Sequence, residues 1–198
     1  SNTAKFIKNK YGEASLICAN NVFAHIDDMH EPMKGIKLLL KADGAFVFEV
    51  HYLIDLLDQF QFDMIYHEHL MYHSLTALAY LLNIFDMEIF DVARIPIHAG
   101  SIRVHAQNKN TGRHYTQPIV KKLFNLEKTK KINQLSTLIR FSEDTFKKRN
   151  ALVKLINDLK AKGKRIIGYG ASGRATVHIN FCKFNSEIIE YIIDESHE

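Results

Sequence analysis

Two short segments decide the fold that this sequence predicts: Ala-Ser-Leu-Ile-Cys-Ala-Asn at residues 14–20 and Ala-Phe-Val-Phe-Glu-Val at residues 45–50. The first is a nearly continuous apolar run, which is typical of a central parallel strand buried on both faces. Between the two, Asp28 and Glu31 have the spacing of a helix capping box, and apolar residues follow at helical intervals to about Lys41. Strand, helix and strand in this order predict a right-handed βαβ unit.

The segments that follow extend this α/β pattern. Ser74 is placed to cap a helix with leucines at helical spacing. Alternating runs at residues 87–95 and 101–106 predict antiparallel strands that close one edge of the sheet. The section from residue 115 to 162 predicts one or two long helices, and Gly163 is expected to stop them.

A second organised segment begins at Lys164. Residues 165–167 and 188–193 predict two strands, with a glycine-rich turn and a helix between them. The turn fits the pattern Gly-x-Gly-x-x-Gly, in which backbone N–H groups at a helix start bind phosphate, and Asp194 lies near the distance expected for a ribose-binding acid. A tight turn without a ligand is the alternative. The candidate nucleotide- or phosphate-binding residues are Gly168, Gly170, Ser172, Gly173 and Arg174.

Composition narrows the class of protein. The chain has 198 residues, of which 46% are hydrophobic, so it can build a core. It has no apolar run of about 18 residues and no signal-peptide pattern, so we expect a soluble cytoplasmic protein with no membrane partner. Cys18 and Cys182 lie in apolar surroundings and are expected to be buried thiols.

Charge is unevenly distributed. Residues 1–108 carry 8 basic and 13 acidic side chains, whereas residues 109–165 carry 16 and 4. A basic section can attract nucleic acid or a nucleotide diphosphate. Lysine-rich helices are more often simply solvated, so we do not expect nucleic acid as the partner.

The segment at residues 62–73 concentrates titratable side chains, with two tyrosines, three histidines and Glu68. Tyr66, Glu68 and His69 suit general acid–base chemistry, because imidazole titrates near neutrality, a carboxylate can orient it and a phenol can donate to an oxyanion. A loop of ordinary half-buried polar residues is the alternative.

Two further interpretations concern neighbouring polar residues. Asn21 and His25, four residues apart just after the first strand, could face the same cleft, although His25 could equally be bonded to backbone. A metal site would place His69 and His73 on one helical face, with His67 or His51 near. We do not expect metal, because the His-Glu-His order lacks the spacing of zinc hydrolases.

Five segments of the chain carry a resemblance to a known family. They are Asn-Asn-Val-Phe-Ala-His-Ile at 20–26, Leu-Leu-Lys-Ala-Asp-Gly and the strand after it at 39–50, Ile-Tyr-His-Glu-His at 65–69, His-Ala-Gly-Ser-Ile-Arg at 98–103 and Gly-Tyr-Gly-Ala at 168–171. Together they resemble the nucleotide-sugar C-methyltransferases, a family of class I enzymes that use S-adenosylmethionine and methylate carbon 3 of a dTDP-4-keto-deoxysugar. The resemblance spans most of the chain in the right order, and the Glu-His segment is its most specific part.

The resemblance implies a mechanism and site residues. His69 would act as the base that forms an enolate, Glu68 would orient it or bind sugar, and Tyr66 would help to hold the keto oxygen. S-adenosylmethionine would supply the methyl group, and a nucleotide sugar would be the partner molecule. Further substrate contacts would come from Asn21, His25 and Arg103, with Arg103 or Arg174 meeting the diphosphate.

The sequence also departs from the family. Those enzymes begin with a cysteine-rich zinc domain and a glycine-rich cofactor strand, and neither pattern occurs in these residues. We therefore expect the C-terminal half of a methyltransferase domain at residues 1–112, a helical linker at 113–162 and the start of a Rossmann-like domain at 163–198. We expect these residues alone to be inactive. A Rossmann-like module that binds nucleotide or nucleic acid without catalysis is the alternative function.

Overall fold

The computed structural model describes residues 2–195, and it shows an α/β chain with two compact units. The first unit comprises the chain up to Gln59 together with Glu68–Asn133. The second comprises Phe60–His67 and the chain from Gln134 onward. The α/β class that the sequence predicts is confirmed.

The regular helices and strands are numbered here in chain order. The helices are α1 (Asn2–Tyr11), α2 (His30–Leu39), α3 (Leu53–Asp58), α4 (Leu75–Ile84), α5 (Pro118–Lys130), α6 (Leu135–Ala161) and α7 (Gly173–Cys182). The strands are β1 (Ala14–Asn20), β2 (Leu40–His51), β3 (Met87–Ile95), β4 (Ser101–Asn108), β5 (Gly168–Tyr169) and β6 (Ile192–Ile193).

The sheet of the first unit has the strand order β1-β2-β4-β3. β1 and β2 are parallel, with Asn20 opposite Glu49, as the strand–helix–strand pattern predicts. β4 pairs antiparallel with both β2 and β3, which confirms the predicted antiparallel pair at one edge. The carboxyl ends of β1 and β2 therefore lie side by side, where α/β sheets usually place their ligands.

β1 differs from its prediction. It is an edge strand that pairs with β2 on one side, rather than a central strand buried on both faces. Ile17 and Ala19 pack against the core. Because side chains alternate along a strand, Leu16 and Cys18 face away, and Leu16 is 56% exposed. The prediction that Cys18 is buried was therefore wrong, whereas the burial of Cys182 is confirmed.

The hydrophobic core belongs to the first unit. Phe46, Phe48 and Val50 form one face of β2 and are at most 1% exposed. Helices α2, α4 and α5 contribute further buried side chains, including Met33, Leu78 and Leu123. Burying each side chain of this size contributes roughly 1.5–3 kcal/mol relative to exposing it, so this layer holds the strand ends of the unit in place.

Two helix starts test the capping predictions. The Ser74 hydroxyl accepts a hydrogen bond from the Ala77 amide at 3.1 Å, so the predicted cap of α4 is confirmed. The predicted capping box at α2 was wrong, because the cap position is Met29 and its side chain makes no capping bond. Asp28 lies one residue earlier and accepts from the His30 amide at 2.8 Å.

The second unit contains α6, β5, α7 and β6. β5 and β6 are parallel, as predicted for a strand–turn–helix–strand segment, but the paired residues are fewer than the sequence suggests. The Ile188 and Ile189 amides both donate to the Asn185 carbonyl, so this part of the predicted second strand is a turn. α6 ends where expected, with Gly163 at a φ of 71° and the Lys164 amide bonded to the Leu159 carbonyl.

None of the helices within residues 2–195 combines the length and apolarity that crossing a bilayer requires.

Candidate functional site

Four histidines of the first unit lie close together and are called the histidine cluster here: His25, His51, His69 and His98. The ring centroids of His51 and His69 are 4.8 Å apart, and those of His25 and His69 are 5.2 Å apart. The His98 ring meets the His51 ring edge-on at 5.5 Å. His69 therefore has two imidazole neighbours, His25 and His51, and His98 is a further neighbour of His51.

The strand ends position this cluster. His51 is the last residue of β2 and pairs with Ser101, the first residue of β4. Asn21 follows β1, and its amide donates to the Glu49 carbonyl at 3.0 Å. Asn21 and His98 both have a left-handed backbone, with φ values of 54° and 50°. Such a conformation is uncommon for residues other than glycine and is often found at functional sites.

His69 is held by its neighbours in the chain. Its side chain is only 8% exposed. The Leu70 amide donates to the Ala24 carbonyl at 2.8 Å, and His25 Nδ1 lies 2.8 Å from the Glu68 carbonyl. His25 Nδ1 must donate in that bond, so in the neutral ring its Nε2 is an acceptor. These contacts tie the segment around His69 to the turn after β1.

The predicted catalytic and substrate-binding residues are divided between the two units. Asn21, His25, Glu68 and His69 all belong to the first unit. The Glu68 side chain is exposed, and its backbone carbonyl is the group that bonds His25. Tyr66 belongs to the second unit, where its ring lies beside Gly173.

Arg103 has a partner within the sheet. Its Nη2 lies 2.5 Å from Glu49 Oε1, and its Nε donates to the same oxygen at 2.6 Å. Glu49 is 4% exposed, so the guanidinium compensates a buried carboxylate across the β2–β4 pair. The Arg103 side chain is 43% exposed, and its predicted contact with substrate stays a prediction.

Burial keeps two histidines neutral. Burial, followed by the charges of His69, His98, His25 and His73, lowers the pKa of His51 to about 4. Burial also lowers the pKa of His73 to about 4, against a smaller opposing effect of a hydrogen bond with the Phe23 backbone. Both imidazoles are therefore uncharged near neutral pH, which leaves the surroundings of His69 without a fixed positive charge from either ring.

Five buried side-chain polar atoms have no hydrogen-bond partner within residues 2–195, and two of them, Asn21 Oδ1 and His51 Nε2, belong to the ends of the parallel strands β1 and β2. The other three are Tyr52 Oη, His73 Nε2 and His105 Nδ1. A buried polar group without a partner destabilises a fold by about 1–3 kcal/mol. Unsatisfied groups at the carboxyl ends of neighbouring strands are therefore candidates for ligand contacts.

Sequence reasoning named His51 only as a neighbour in the metal alternative, and it did not name His98 as a site residue. His51 directly follows the strongly predicted strand at residues 45–50, and ligand sites collect at such ends, so that signal was present. His98 lies in a turn whose approach to His51 depends on the β2–β4 pairing. No local pattern in the sequence reveals that pairing.

No group of three or more histidine, cysteine, aspartate or glutamate side chains with the geometry of a metal site occurs in residues 2–195. The metal alternative required His69 and His73 to lie on one helical face. Residues 65–74 contain no helix, so that requirement is not met.

The glycine-rich turn of the second unit has its amides paired internally. The Gly170 amide donates to the Ile193 carbonyl at 2.7 Å, and the Ala171 amide donates to an Asp194 carboxylate oxygen at 2.5 Å. A Cβ on Gly168 would lie 3.0 Å from the Ile192 side chain, so close strand packing already favours glycine there. The carboxylate of Asp194 thus takes a position that an anionic ligand could otherwise take.

The start of α7 is also engaged within the second unit. Its cap residue is Ser172, whose hydroxyl accepts from the Ala175 amide at 3.4 Å. Arg174 Nε donates to Asp63 at 2.7 Å, and Asp63 is 8% exposed. Burial alone would raise the pKa of the Asp63 carboxyl, but the hydrogen bond and charge of Arg174, with the charge of His178, lower it overall.

Comparisons with known proteins gave matches in both halves of the chain. Residues 96–198 match the family described as C-methyltransferase C-terminal domain, and residues 2–92 match a methyltransferase domain family. The C-methyltransferase NovU of Streptomyces niveus is 34% identical over 188 residues, which are 95% of this chain and 44% of NovU. The chain thus spans less than half the length of this relative.

Two solved structures show weaker likeness. An O-methyltransferase family protein from Burkholderia thailandensis has a TM-score of 0.35 and 16% identity, over 54% of this chain and 33% of that one. The structure of M1.HpyAVI has a TM-score of 0.32 and 10% identity, over 60% and 62% of the two chains. At these TM-scores neither structure carries an argument about this chain.

Proposed function

Because this chain belongs to the C-methyltransferase family, we propose that it binds a keto sugar and removes a hydrogen from the carbon beside the ketone. In this family the resulting enolate is methylated at the expense of S-adenosylmethionine. The substrate we propose, from the sequence resemblance, is a dTDP-4-keto-deoxysugar that reacts at carbon 3.

One observation carries the proposal: the ring of buried His69 lies within 5.2 Å of the His25 ring and 4.8 Å of the His51 ring, near the carboxyl ends of two parallel strands. A general base needs an uncharged nitrogen close to the hydrogen that it removes. The neutral His51 supports this, because it adds no positive charge that would disfavour proton uptake by His69.

The proposed step is the removal of a proton by His69, which forms an enolate. A ring nitrogen of His69 takes the hydrogen of the substrate carbon as a proton, and the electron pair of the C–H bond becomes the carbon–carbon double bond of an enolate. The keto oxygen then carries the negative charge and needs donors nearby. Tyr66 is the proposed donor, and Glu68 is proposed to orient His69 or bind sugar. Both assignments rest on the sequence resemblance.

The rest of the site is proposed to hold the nucleotide sugar. Asn21 Oδ1 is unsatisfied within the described residues, which supports a contact with a substrate hydroxyl. Arg103 is half-exposed beside the carboxylate that it neutralises, so its remaining donors are proposed to meet the diphosphate. Arg174 is the alternative for this role, on the sequence resemblance alone. The turn residues Gly168, Gly170, Ser172 and Gly173 keep their proposed part in binding the nucleotide.

In the family, S-adenosylmethionine is bound by a glycine-rich strand, and that pattern does not occur among these residues. The role proposed for this chain is therefore limited to binding the sugar and removing its hydrogen. The sequence-based expectation that these residues alone do not transfer methyl groups stays a prediction.

Hydrogen exchange in D2O tests the proposed base without the methyl donor. The chain is incubated with a dTDP-4-keto-deoxysugar, and mass spectrometry follows deuterium entry at carbon 3. We expect exchange by the wild type and a loss of about 10²–10⁴-fold in the His69→Ala variant, because general bases contribute on that scale.

His105→Ala is the matched control, since His105 lies on β4 outside the histidine cluster and its Nδ1 is also buried without a hydrogen-bond partner among residues 2–195. We expect this variant to keep the wild-type rate. Exchange by His69→Ala at the wild-type rate would remove the base assignment, and a wild type that exchanges nothing would remove the proposed function.

A further inference from the structure

We propose that His51 binds a hydroxyl group of the sugar ring next to the carbon that loses its hydrogen, and that it thereby sets substrate specificity. This inference rests on the proposed function, because it needs a sugar bound against His69. It assigns the substrate substituent that the site selects, and it concerns a residue without a role in the reaction step.

The position of His51 supports a contact close to the reacting carbon. Its ring centroid is 4.8 Å from that of His69. A base must come within about 3–3.5 Å of the atom it attacks, and a hydrogen bond to a hydroxyl spans about 2.8 Å. Groups on neighbouring ring carbons are a few ångströms apart, so two imidazoles at this separation can serve a hydrogen and the substituent beside it.

The hydrogen-bonding state of His51 supports a polar ligand. Its Nε2 is buried, and the part of the chain that the structure describes offers it no hydrogen-bond partner. Asn21 Oδ1 has the same status at the end of the neighbouring strand. Leaving both atoms unsatisfied costs stability, and a substrate hydroxyl, which both donates and accepts, can satisfy either.

The charge of His51 indicates a neutral substituent. Burial and the surrounding His69, His98, His25 and His73 disfavour its charged form. An uncharged imidazole nitrogen offers one donor or one acceptor, which matches a hydroxyl. A phosphate or carboxylate would instead need a positive partner in such a buried position.

A substrate hydroxyl reaches this nitrogen only after a neighbouring group has moved, because His51 Nε2 is closed to solvent. The exposed His98 ring stands edge-on beside the His51 ring, with the centroids 5.5 Å apart, and is one such neighbour. Hydrogen bonds of a site often form fully only when the substrate is bound.

The test compares two dTDP-4-keto-6-deoxy sugars that differ only in a hydroxyl or a hydrogen at carbon 2. Deuterium exchange at carbon 3 is measured for each, with no methyl donor. We expect the wild type to prefer the hydroxylated sugar by about 10- to 100-fold in kcat/KM, which corresponds to leaving a buried polar group unpaired. The His51→Leu variant should lose this preference.

Two further variants separate recognition from folding. His51→Gln keeps a donor and an acceptor near the Nε2 position and should retain part of the preference. His105→Leu removes a histidine with an unpaired buried nitrogen outside the cluster and should retain all of it.

The outcomes distinguish the two proposals. A wild type that exchanges neither sugar contradicts the proposed function, and with it this inference. Exchange of both sugars at equal rates, or an unchanged preference in folded His51→Leu, overturns the role of His51 and leaves the proposed function standing.

Discussion

Two buried polar regions of the first unit differ in whether their polar atoms find hydrogen-bond partners within the chain. Glu127 on α5 is 1% exposed, and it accepts from the Leu75 amide at 2.6 Å and from the Thr76 amide and hydroxyl at 2.9 and 2.5 Å. At the strand ends, Asn21 Oδ1 and His51 Nε2 have no such partners among residues 2–195.

This difference distinguishes polar side chains that stabilise the fold from those proposed to bind a ligand. Glu127 places its negative charge at the start of α4, where free N–H groups and the helix dipole favour it. Its bonding capacity is used inside the fold. The strand-end atoms keep unused capacity where α/β proteins bind ligands, so their partners are expected to come from a substrate.

The largest expected effect concerns Glu127. Replacing it by alanine leaves the amide of buried Leu75 unpaired and removes the acceptor of the Thr76 amide and hydroxyl. The free energy of unfolding should therefore fall by about 3–5 kcal/mol, the sum of several hydrogen bonds to a charged group. Urea denaturation measures this change. Glu31→Ala is the control, because Glu31 lies on the exposed side of α2 and pairs with Lys34, and it should change stability little. Equal effects of the two variants would contradict the structural role of Glu127.

A second prediction concerns the stability of the fold at acidic pH. The pKa of His73 is about 4 in the fold, against an ordinary value of 6.5 that applies when the chain is unfolded. Between these values the unfolded chain binds the proton and the folded chain does not, so stability falls as the pH drops from 6.5 to 4. The loss is on the order of 3 kcal/mol.

The variant His73→Gln cannot take up this proton, so its unfolding free energy should depend less on pH over the same interval. His51 contributes with the same sign, so part of the dependence should remain. Denaturant unfolding at several pH values measures both slopes. Identical slopes would show that His73 is protonated in the folded chain.

The smallest effect on stability is expected at Asn21. Asn21→Gly keeps the left-handed backbone that φ 54° requires and removes the unsatisfied Oδ1. Stability should change by less than about 1 kcal/mol, while KM in the exchange assay should rise about 10-fold through the lost substrate contact. A large loss of stability with unchanged KM would place Asn21 with Glu127 as a structural residue.

Local patterns in the sequence predicted much of the fold. The Ser74 cap, the parallel β1–β2 pair, the antiparallel pair β3–β4 and the helix stop at Gly163 follow from short-range spacing, and the structure confirms them. The edge position of β1 was not predictable in this way. An apolar run has the same sequence pattern whether the strand pairs with one neighbouring strand or with two.

The candidate site was also predicted only in part from the sequence. The sequence singled out His69, His25 and Asn21 by residue type and spacing. It did not single out His51, although this residue directly follows a predicted strand, because the contact of its ring with His69 depends on the tertiary structure. Glu127 was hidden within a lysine-rich helix whose sequence resembles a solvated surface.

The sequence by itself thus determined the order of helices and strands, the family of the chain and the segment that carries His69, since these depend on local spacing and residue type. The tertiary structure decided which polar groups find partners inside the chain. Hydrogen-bond satisfaction depends on contacts between residues far apart in sequence, such as Leu75 with Glu127 or His51 with His69, and no local pattern encodes those distances.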